Sequence, residues 1–404
     1  MVKLNHHFQK LSDESLATEM EKRISSVKSR SPHAALIHLG RSDLTQPLPP
    51  TSVQALVAAA QEMGEKATFR GYGPFAGYDF LRQAIASHDY ANLKISPEEI
   101  FISDGAKSDI GNLQEIFSTD NKIALPDPCY PTYLEANILS GRTRLPLKTG
   151  RFGGVVYLEC TEENGFLPRP PGTHVDLIYL CSPSNPTGVA MDRSSLKEWV
   201  DYAKEHEALL LFDGTYEAYI TSDAPRSIYE IEGAKETAIE IRSYSKSAGF
   251  TGLRCSYLVI PRQIKVRDVG KTHSLNSLWK RRCEMKSNGV SYPVQRAAAS
   301  LYTPQGQKEK QEILQSYSEK ARFLRDGLSH LGFAVYGGID SPYVWCKAPE
   351  KMDAWQFFDH LLEKTHLVVV PGQGFGSLGT RFVRFSAFAE QTELAEALLR
   401  MKSL

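Results

Sequence analysis

Through its middle the chain alternates short apolar runs with longer amphipathic segments, and that alternation restricts it to an α/β fold built on a mostly parallel sheet. The apolar runs predict strands over 99–103, 122–125, 176–181, 208–212, 238–241 and 256–260. Helices are predicted between them over 77–90, 106–117 and 194–205. Runs rich in Ile, Leu and Val on both faces suit strands covered by helices above and below. The last third changes character. Two helices, over 291–301 and 308–331, precede shorter strands around 334–336, 343–347, 367–370 and 381–386, the pattern of a smaller α+β unit. The expected organisation is a segment 1–48 packing on the small domain, a large domain over 49–290 and a small domain over 291–404.

A chain of 404 residues buries a sizeable core without disulfides or metals. Lys plus Arg and Asp plus Glu both number 47, and this balance argues against a nucleic-acid-binding surface, which needs a basic excess. Cys129, Cys160, Cys181, Cys255, Cys283 and Cys346 form no Cys-x-x-Cys pair and no zinc spacing, so no metal is expected and a reducing compartment is. The N-terminus MVKLNHHFQKLSDE lacks the apolar core of a signal peptide, and no stretch approaches 18 apolar residues. These features predict a cytoplasmic protein without a membrane partner; a trimmed organelle transit peptide stays open.

Gly374-Phe-Gly376-Ser-Leu-Gly379 matches the GxGxxG pattern of dinucleotide sites, but a strand-like TRFVRFSAF follows it instead of a helix. It reads as a glycine-rich turn between strands. The stronger signal is Ser243-Tyr-Ser245-Lys246-Ser-Ala-Gly249-Phe-Thr-Gly252-Leu-Arg254. A lysine ending a buried strand loses hydration, its pKa falls, and it becomes an amine fit for Schiff-base chemistry. Ser243, Ser245 and Arg254 supply donors for a phosphate. Asn185-Pro-Thr-Gly188 and Asp213-Gly-Thr-Tyr216 also follow strands, at the edge where open α/β sheets bind ligands. Singly these residues read as a turn former, a cap and a core aromatic. Together with Lys246 they suit a pyridine aldehyde, the carboxylate pairing its ring nitrogen and Asn185 and Tyr216 its hydroxyl. Ser103-Asp104-Gly105-Ala106-Lys107 joins a strand to a helix and turns free amides outward, a phosphate cradle.

The ordered set DGAK, Pro128-Cys-Tyr130-Pro-Thr-Tyr133, CSPSNPTG, FDGTYEAYI, SYSKSAGFTGLR and RFVRFSAF resembles the fold-type I pyridoxal-phosphate aminotransferases, and within them the LL-diaminopimelate aminotransferase family. RGYGPFAGYDFLR, NGVSYPVQ and PGQGFG extend the resemblance over nearly the whole chain. It implies pyridoxal 5'-phosphate as cofactor, an amino acid and a 2-oxo acid as substrates, and a homodimer with shared active sites. By position Lys246 resembles the lysine that bonds the cofactor aldehyde and shuttles the substrate proton. Asp213 corresponds to the partner of the ring nitrogen, Asn185 and Tyr216 to those of the ring hydroxyl, and Tyr130 to the stacking ring. Ala106, Lys107, Ser243, Ser245 and Arg254 would meet the phosphate, joined from the other subunit by Tyr72 and Asn288. Arg384 matches the arginine that grips the substrate carboxylate, with Asn185, Gly40, Lys107 and Tyr130 around it.

The departures fall on substrate reading. In Glu14-Ser15-Leu16-Ala17, Ser15 stands where the family has a substrate-contacting tyrosine, and Phe75 stands where it has an acid that partners a distal ammonium. The family's LGIGD is here Leu39-Gly40-Arg41-Ser42-Asp43, and Arg41, if it points inward, would attract an anionic distal group. The expectation is an aminotransferase with altered side-chain specificity. The alternative is a pyridoxal-phosphate enzyme of another reaction class, such as elimination, substitution or cyclisation.

Overall fold

The computed structural model describes residues 1–11, 15–147 and 149–404; Glu14 of the N-terminal motif lies outside them. Seven strands form the large sheet in the order Ile100–Ser103, Ser256–Val259, Ala238–Ser243, Leu209–Asp213, Leu177–Cys181, Ile123–Asp127, Val155–Glu159. All neighbours pair in parallel except Ser256–Val259, which runs against both of its partners. Leu209–Asp213 shows why these segments become strands. Leu210 and Phe212 face one core with Leu81, Trp199 and Ala298, while Leu209 and Leu211 face another with Ile110, Tyr133 and Trp279. Both faces are therefore covered by helices: Asp79–His88, Arg193–Glu205 and Tyr292–Ser300 on one side, Ala106–Leu113, Thr132–Leu139 and Leu275–Lys286 on the other. Each fully buried Leu or Phe contributes about 1.5–3 kcal/mol.

The second sheet is antiparallel, in the order Val335–Gly337, Tyr343–Lys347, Phe382–Ser386, Val370–Pro371. Its core gathers Ile24 and Val27 of helix Leu16–Arg30, Leu324 of Pro304–His330, Leu361 of Ala354–Thr365 and Leu398 of Gln391–Met401. Ile37–His38 pairs in parallel with Leu367–Val368, which stitches the N-terminal segment into this unit.

Packing departs from the expected organisation at two places. Ala297, Ala298, Leu301 and Tyr302 belong to the core of the large sheet, so helix Tyr292–Ser300 packs there and not with the small unit. His6–Lys10 lies against the large unit, where Asn5 Nδ2 donates to the Leu139 carbonyl at 3.2 Å and Lys10 Nζ to that of Thr143 at 2.6 Å. The edge strand Val155–Glu159, half-buried, and the exposed hairpin Lys265–Asp268 with Lys271–Ser274 were not predicted. The segment Gly374–Gly379 is a pair of tight turns linking Val370–Pro371 to Phe382–Ser386. A Cβ at Gly376, φ 145°, would meet Asp127 Oδ1 at 2.2 Å, so glycine is required there for close approach. Among the described residues no helix is long and apolar enough to cross a membrane.

Candidate active site

Parallel strands bring their carboxyl ends to one edge. Asp213 ends Leu209–Asp213, Ser243 ends Ala238–Ser243, and Asn185 follows Leu177–Cys181. Ser256–Val259 runs the other way and so presents its start at the same edge, pairing Ser256 with both Ser103 and Ser243. This reversal carries Arg254 to the N-terminus of helix Ala106–Leu113. A Cβ at Gly105, φ 134°, would meet Arg254 Nη2 at 2.0 Å, so only glycine lets the guanidinium lie against the helix start. The result is a cavity of about 430 Å³ lined by Ala106, Lys107, Tyr130, Asn185, Asp213, Tyr216, Ser243, Ser245, Lys246 and Arg254. The residues expected from this chain to hold the cofactor thus converge on one space.

Asp213 is buried, and among the described residues no cation pairs with it. Its Oδ2 accepts from Tyr133 Oη at 2.6 Å and its Oδ1 from the Thr215 amide at 3.0 Å. Burial still pushes its carboxyl above the usual range, against the pull of Thr215 and Tyr133. Lys246 lies on the short helix Tyr244–Ser247, capped by Ser243 Oγ, which accepts from the Ser245 amide at 3.2 Å. Its Nζ donates to the Ser42 carbonyl. Burial lowers the lysine pKa first, Arg384 and Arg254 lower it further, and Tyr343 and Asp43 oppose. An amine held this way is more readily deprotonated than a surface lysine.

A second cavity, of about 450 Å³, shares Ser42, Tyr130 and Asn185 with the first and opens beside Arg384. Arg384 is 3% exposed. Its Nη1 donates to Asn185 Oδ1 at 2.7 Å, and its Nη2 donates to Ser42 Oγ at 2.9 Å and the Gly40 carbonyl at 3.2 Å. Tyr343 and Phe375 flank it at 4.2 and 5.0 Å from their ring centres, and Nε has no partner. Among the described residues no carboxylate pairs with it. A buried cation left this way is a receptor for a small carboxylate. A Cβ on Gly40 would stand 3.0 Å from Val370 Cγ2, so glycine lets this segment press against the strand beside Arg384.

Four expected residues stand apart. Ser15 caps helix Leu16–Arg30, its Oγ accepting from the Thr18 amide at 3.2 Å, while its neighbours Leu16 and Ala17 line the second cavity. Tyr72 and Asn288 are exposed and line neither cavity of their own chain. Phe75 lines a separate pocket with Arg282, Lys286 and Gly289. Its loop touches that of Asn288, since a Cβ on Gly289 would meet the Pro74 carbonyl at 2.6 Å. Sequence reading missed Tyr343, whose Oη lies 2.8 Å from Tyr216 Oη. Burial raises the Tyr343 phenol, but Arg384 and Lys246 outweigh it and hold the pKa below its ordinary value. It also missed Tyr133, although Pro128-Cys-Tyr130-Pro-Thr-Tyr133 contained it. Among the described residues no cluster of three or more His, Cys, Asp or Glu could hold a metal ion.

The model of the aminotransferase class I and II family matches residues 34–400. The chain belongs to the class I and II aminotransferases. It is similar to proteins named LL-diaminopimelate aminotransferase from Methanosphaera stadtmanae, 48% identical over 100% of this chain and 99% of the relative, and from Desulforapulum autotrophicum, 49% identical with the same coverage. Its fold matches the structure of the L,L-diaminopimelate aminotransferase from Chlamydomonas reinhardtii with a TM-score of 0.94, 37% identity and coverage of 100% and 98% of the two chains. Aminotransferases of this class are pyridoxal-phosphate-dependent transaminases acting on amino acids and 2-oxo acids. The residues present fit that cofactor. The unpaired Asp213 carboxylate suits a protonated ring nitrogen, Lys246 is a desolvated amine, and the Gly105–Arg254 cradle with Ser243 and Ser245 suits a phosphate.

Proposed function

We propose that this transaminase binds pyridoxal phosphate through Lys246, with Asp213 at the ring nitrogen, Asn185 and Tyr216 at the ring hydroxyl, and Tyr130 against the ring face. Ala106, Lys107, Ser243, Ser245 and Arg254 take the phosphate. The bound cofactor supplies an electron sink and an aldehyde that exchanges amines. Lys246 would hold the cofactor through its aldehyde and move the proton at the substrate Cα, and Arg384 would fix the substrate by its α-carboxylate. Lys107 and Tyr130 line the cavity that would take the cofactor, and Gly40 lines the one beside Arg384. Asp213 would keep the ring nitrogen protonated; Tyr133 and Thr215, donating to its two oxygens, favour its ionised form against burial and aim it.

The observation that carries this reading is the meeting of Lys246, Asp213 and the Asn185–Arg384 pair across two connected cavities. Glutamate with 2-oxoglutarate is the proposed common pair. The relatives' name makes LL-diaminopimelate the first other donor to test, while Phe75 and Ser15 favour a changed side chain. Mixing the holoenzyme with an amino donor and no acceptor should convert its absorbance to that of the amine form of the cofactor. A persistent band with no such conversion favours elimination, substitution or cyclisation instead.

The same reading includes a homodimer. Tyr72 is 91% exposed and Phe69 62%, on the surface that also presents Asn288 and Phe75, and a partner subunit covering it supports their reach into the neighbouring site. The domain boundary is proposed to fall in helix Pro304–His330, since Tyr292–Ser300 packs with the large sheet. The six unpaired cysteines support a cytoplasmic location.

A further inference from the structure

Tyr216 and Tyr343 form a buried pair of phenols, and only Tyr216 has a role so far. Tyr343 is fully buried at the start of strand Tyr343–Lys347. It stands opposite Ser386, two positions from Arg384 on the neighbouring strand, so the two side chains share a face and the guanidinium lies 4.2 Å from the ring centre. The Tyr343 carbonyl presses against the turn that follows Asn185. A Cβ on Gly188, φ 71°, would stand 2.5 Å from it, so glycine there lets the two units meet closely. The phenol is fixed with its Oη 2.8 Å from Tyr216 Oη, the rings edge to face with centres 5.2 Å apart.

The direction of this bond follows from the surrounding groups. A guanidinium only donates, and Arg384 Nη2 donates to Ser42 Oγ at 2.9 Å, so the Ser42 hydroxyl is left to donate onward. Ser42 is among the groups hydrogen-bonded to the Tyr343 phenol. A hydroxyl in such a chain accepts on one side and donates on the other. That turns the Tyr343 proton toward Tyr216 and the Tyr216 proton toward the cofactor cavity, which Tyr216 lines. The charges agree with this direction. Arg384, Lys246, Tyr216 and Tyr219 face the Tyr343 phenol, and the two cations make it the more acidic of the pair and the better donor. Tyr216, beside Cys181 and Tyr343, is raised by burial and is the better acceptor. We propose that Tyr343 is a positioning residue for the cofactor, its hydroxyl donating to Tyr216 Oη and so aiming the Tyr216 proton at the ring hydroxyl and strengthening that bond. This rests on the reading above that places Tyr216 at the ring hydroxyl.

The test is a pH titration of the holoenzyme's visible absorbance in wild type, Tyr343→Phe, Tyr216→Phe and the double variant, with thermal melts to show that each folds. A donor on the ring hydroxyl stabilises its negative charge and lowers the pH at which the lysine–cofactor linkage loses its proton. Tyr343→Phe keeps the ring and removes only the hydroxyl. It should raise the midpoint by about 0.5 pH unit, a fraction of what a whole charge-assisted bond supplies. Tyr216→Phe should raise it further, and in that background Tyr343→Phe should add nothing. An unchanged midpoint in Tyr343→Phe, or the same shift with and without the Tyr216 hydroxyl, overturns the proposal. An unmoved midpoint in Tyr216→Phe refutes the placement of Tyr216 itself, and the proposal falls with it.

Discussion

Replacing Arg384 by alanine probes the proposed contact with the substrate α-carboxylate. In the structure the guanidinium donates to three neutral oxygens, those of Asn185, Ser42 and Gly40, and leaves Nε unpaired. The rings of Tyr343 and Phe375 offset part of its desolvation, but its strongest natural partner, a carboxylate, is not supplied by the described residues of the chain. Truncating one side of a buried charge pair costs about 2–5 kcal/mol of binding. At about 1.4 kcal/mol per tenfold, affinity falls about 30-fold to several-thousand-fold. The missing contact is the α-carboxylate common to all amino acids, so the loss should be the same for every donor. Folding carries a separate cost. Alanine leaves no buried carboxylate unpaired, only the Asn185 amide oxygen and a carbonyl without a donor, for about 1–3 kcal/mol each at most. The assay is kcat/KM for three donors of unlike side chain in wild type, Arg384→Ala and Arg384→Lys, alongside thermal melts. Parallel losses are expected, with the lysine variant intermediate because an ammonium is a point charge without the fork. Unchanged affinity, or a loss confined to one donor, refutes the assignment.

Borohydride reduction of the holoenzyme should place the pyridoxyl label on Lys246 by peptide mapping, and Lys246→Ala should retain cofactor without turnover; a label on Lys107 contradicts this. Asp109, fully buried between Ser103 and Ser256 with one oxygen unpaired, has its carboxyl pushed up to about 7 by burial. The folded state therefore holds a proton that the unfolded state releases near 3.8, and stability from this group falls as pH rises from about 4 to about 7, by about 1.4 kcal/mol per pH unit. Asp109→Asn should flatten that slope in denaturant titrations, and an identical slope in the variant rules the account out. Phe75→Glu should raise kcat/KM for LL-diaminopimelate relative to glutamate by restoring a partner for a distal ammonium, and no rise means that Phe75 does not read the substrate.

The large sheet was legible because its strands are buried on both faces and bounded by amphipathic helices, so LLLFD, DLIYLC and AIEIRS carry the signal unaided. Val155–Glu159 lies at the sheet edge with three half-buried residues in a row, and that pattern is weak. The exposed hairpin around Gly270 carries no apolar pattern at all. Ala106, Asn185, Asp213 and Lys246 of the proposed cofactor site were legible for a topological reason, since each follows a predicted strand that ends at one edge of the sheet, whereas Arg254 reaches that edge ahead of the one reversed strand. Tyr343 was not, because it starts a strand of the other unit and meets Tyr216 only when the two units pack. Ser15 shows one residue carrying two signals. Its position suggested a substrate contact, but a serine before LATEM also caps a helix, and the structure spends its hydroxyl there.

The two units divide the labour and are bonded where their tasks meet. The large sheet supplies Asp213, Lys246 and the phosphate cradle, whereas the substrate cavity draws Leu16, Gly40 and Arg384 from the N-terminal segment and the small unit. Among the bonds that cross the junction are those of Asn185 with Arg384, Tyr216 with Tyr343, and Lys246 with the Ser42 carbonyl. Arg384 is also among the charges that hold the Lys246 pKa down. In the proposed reading, a substrate carboxylate paired with Arg384 would offset that charge and favour a more basic lysine amine. Gly40 and Ser42 of segment 39–43 accept hydrogen bonds from Arg384, and the Ser42 carbonyl accepts from Lys246, so changes there are expected to alter specificity while the strand-end residues stay in place.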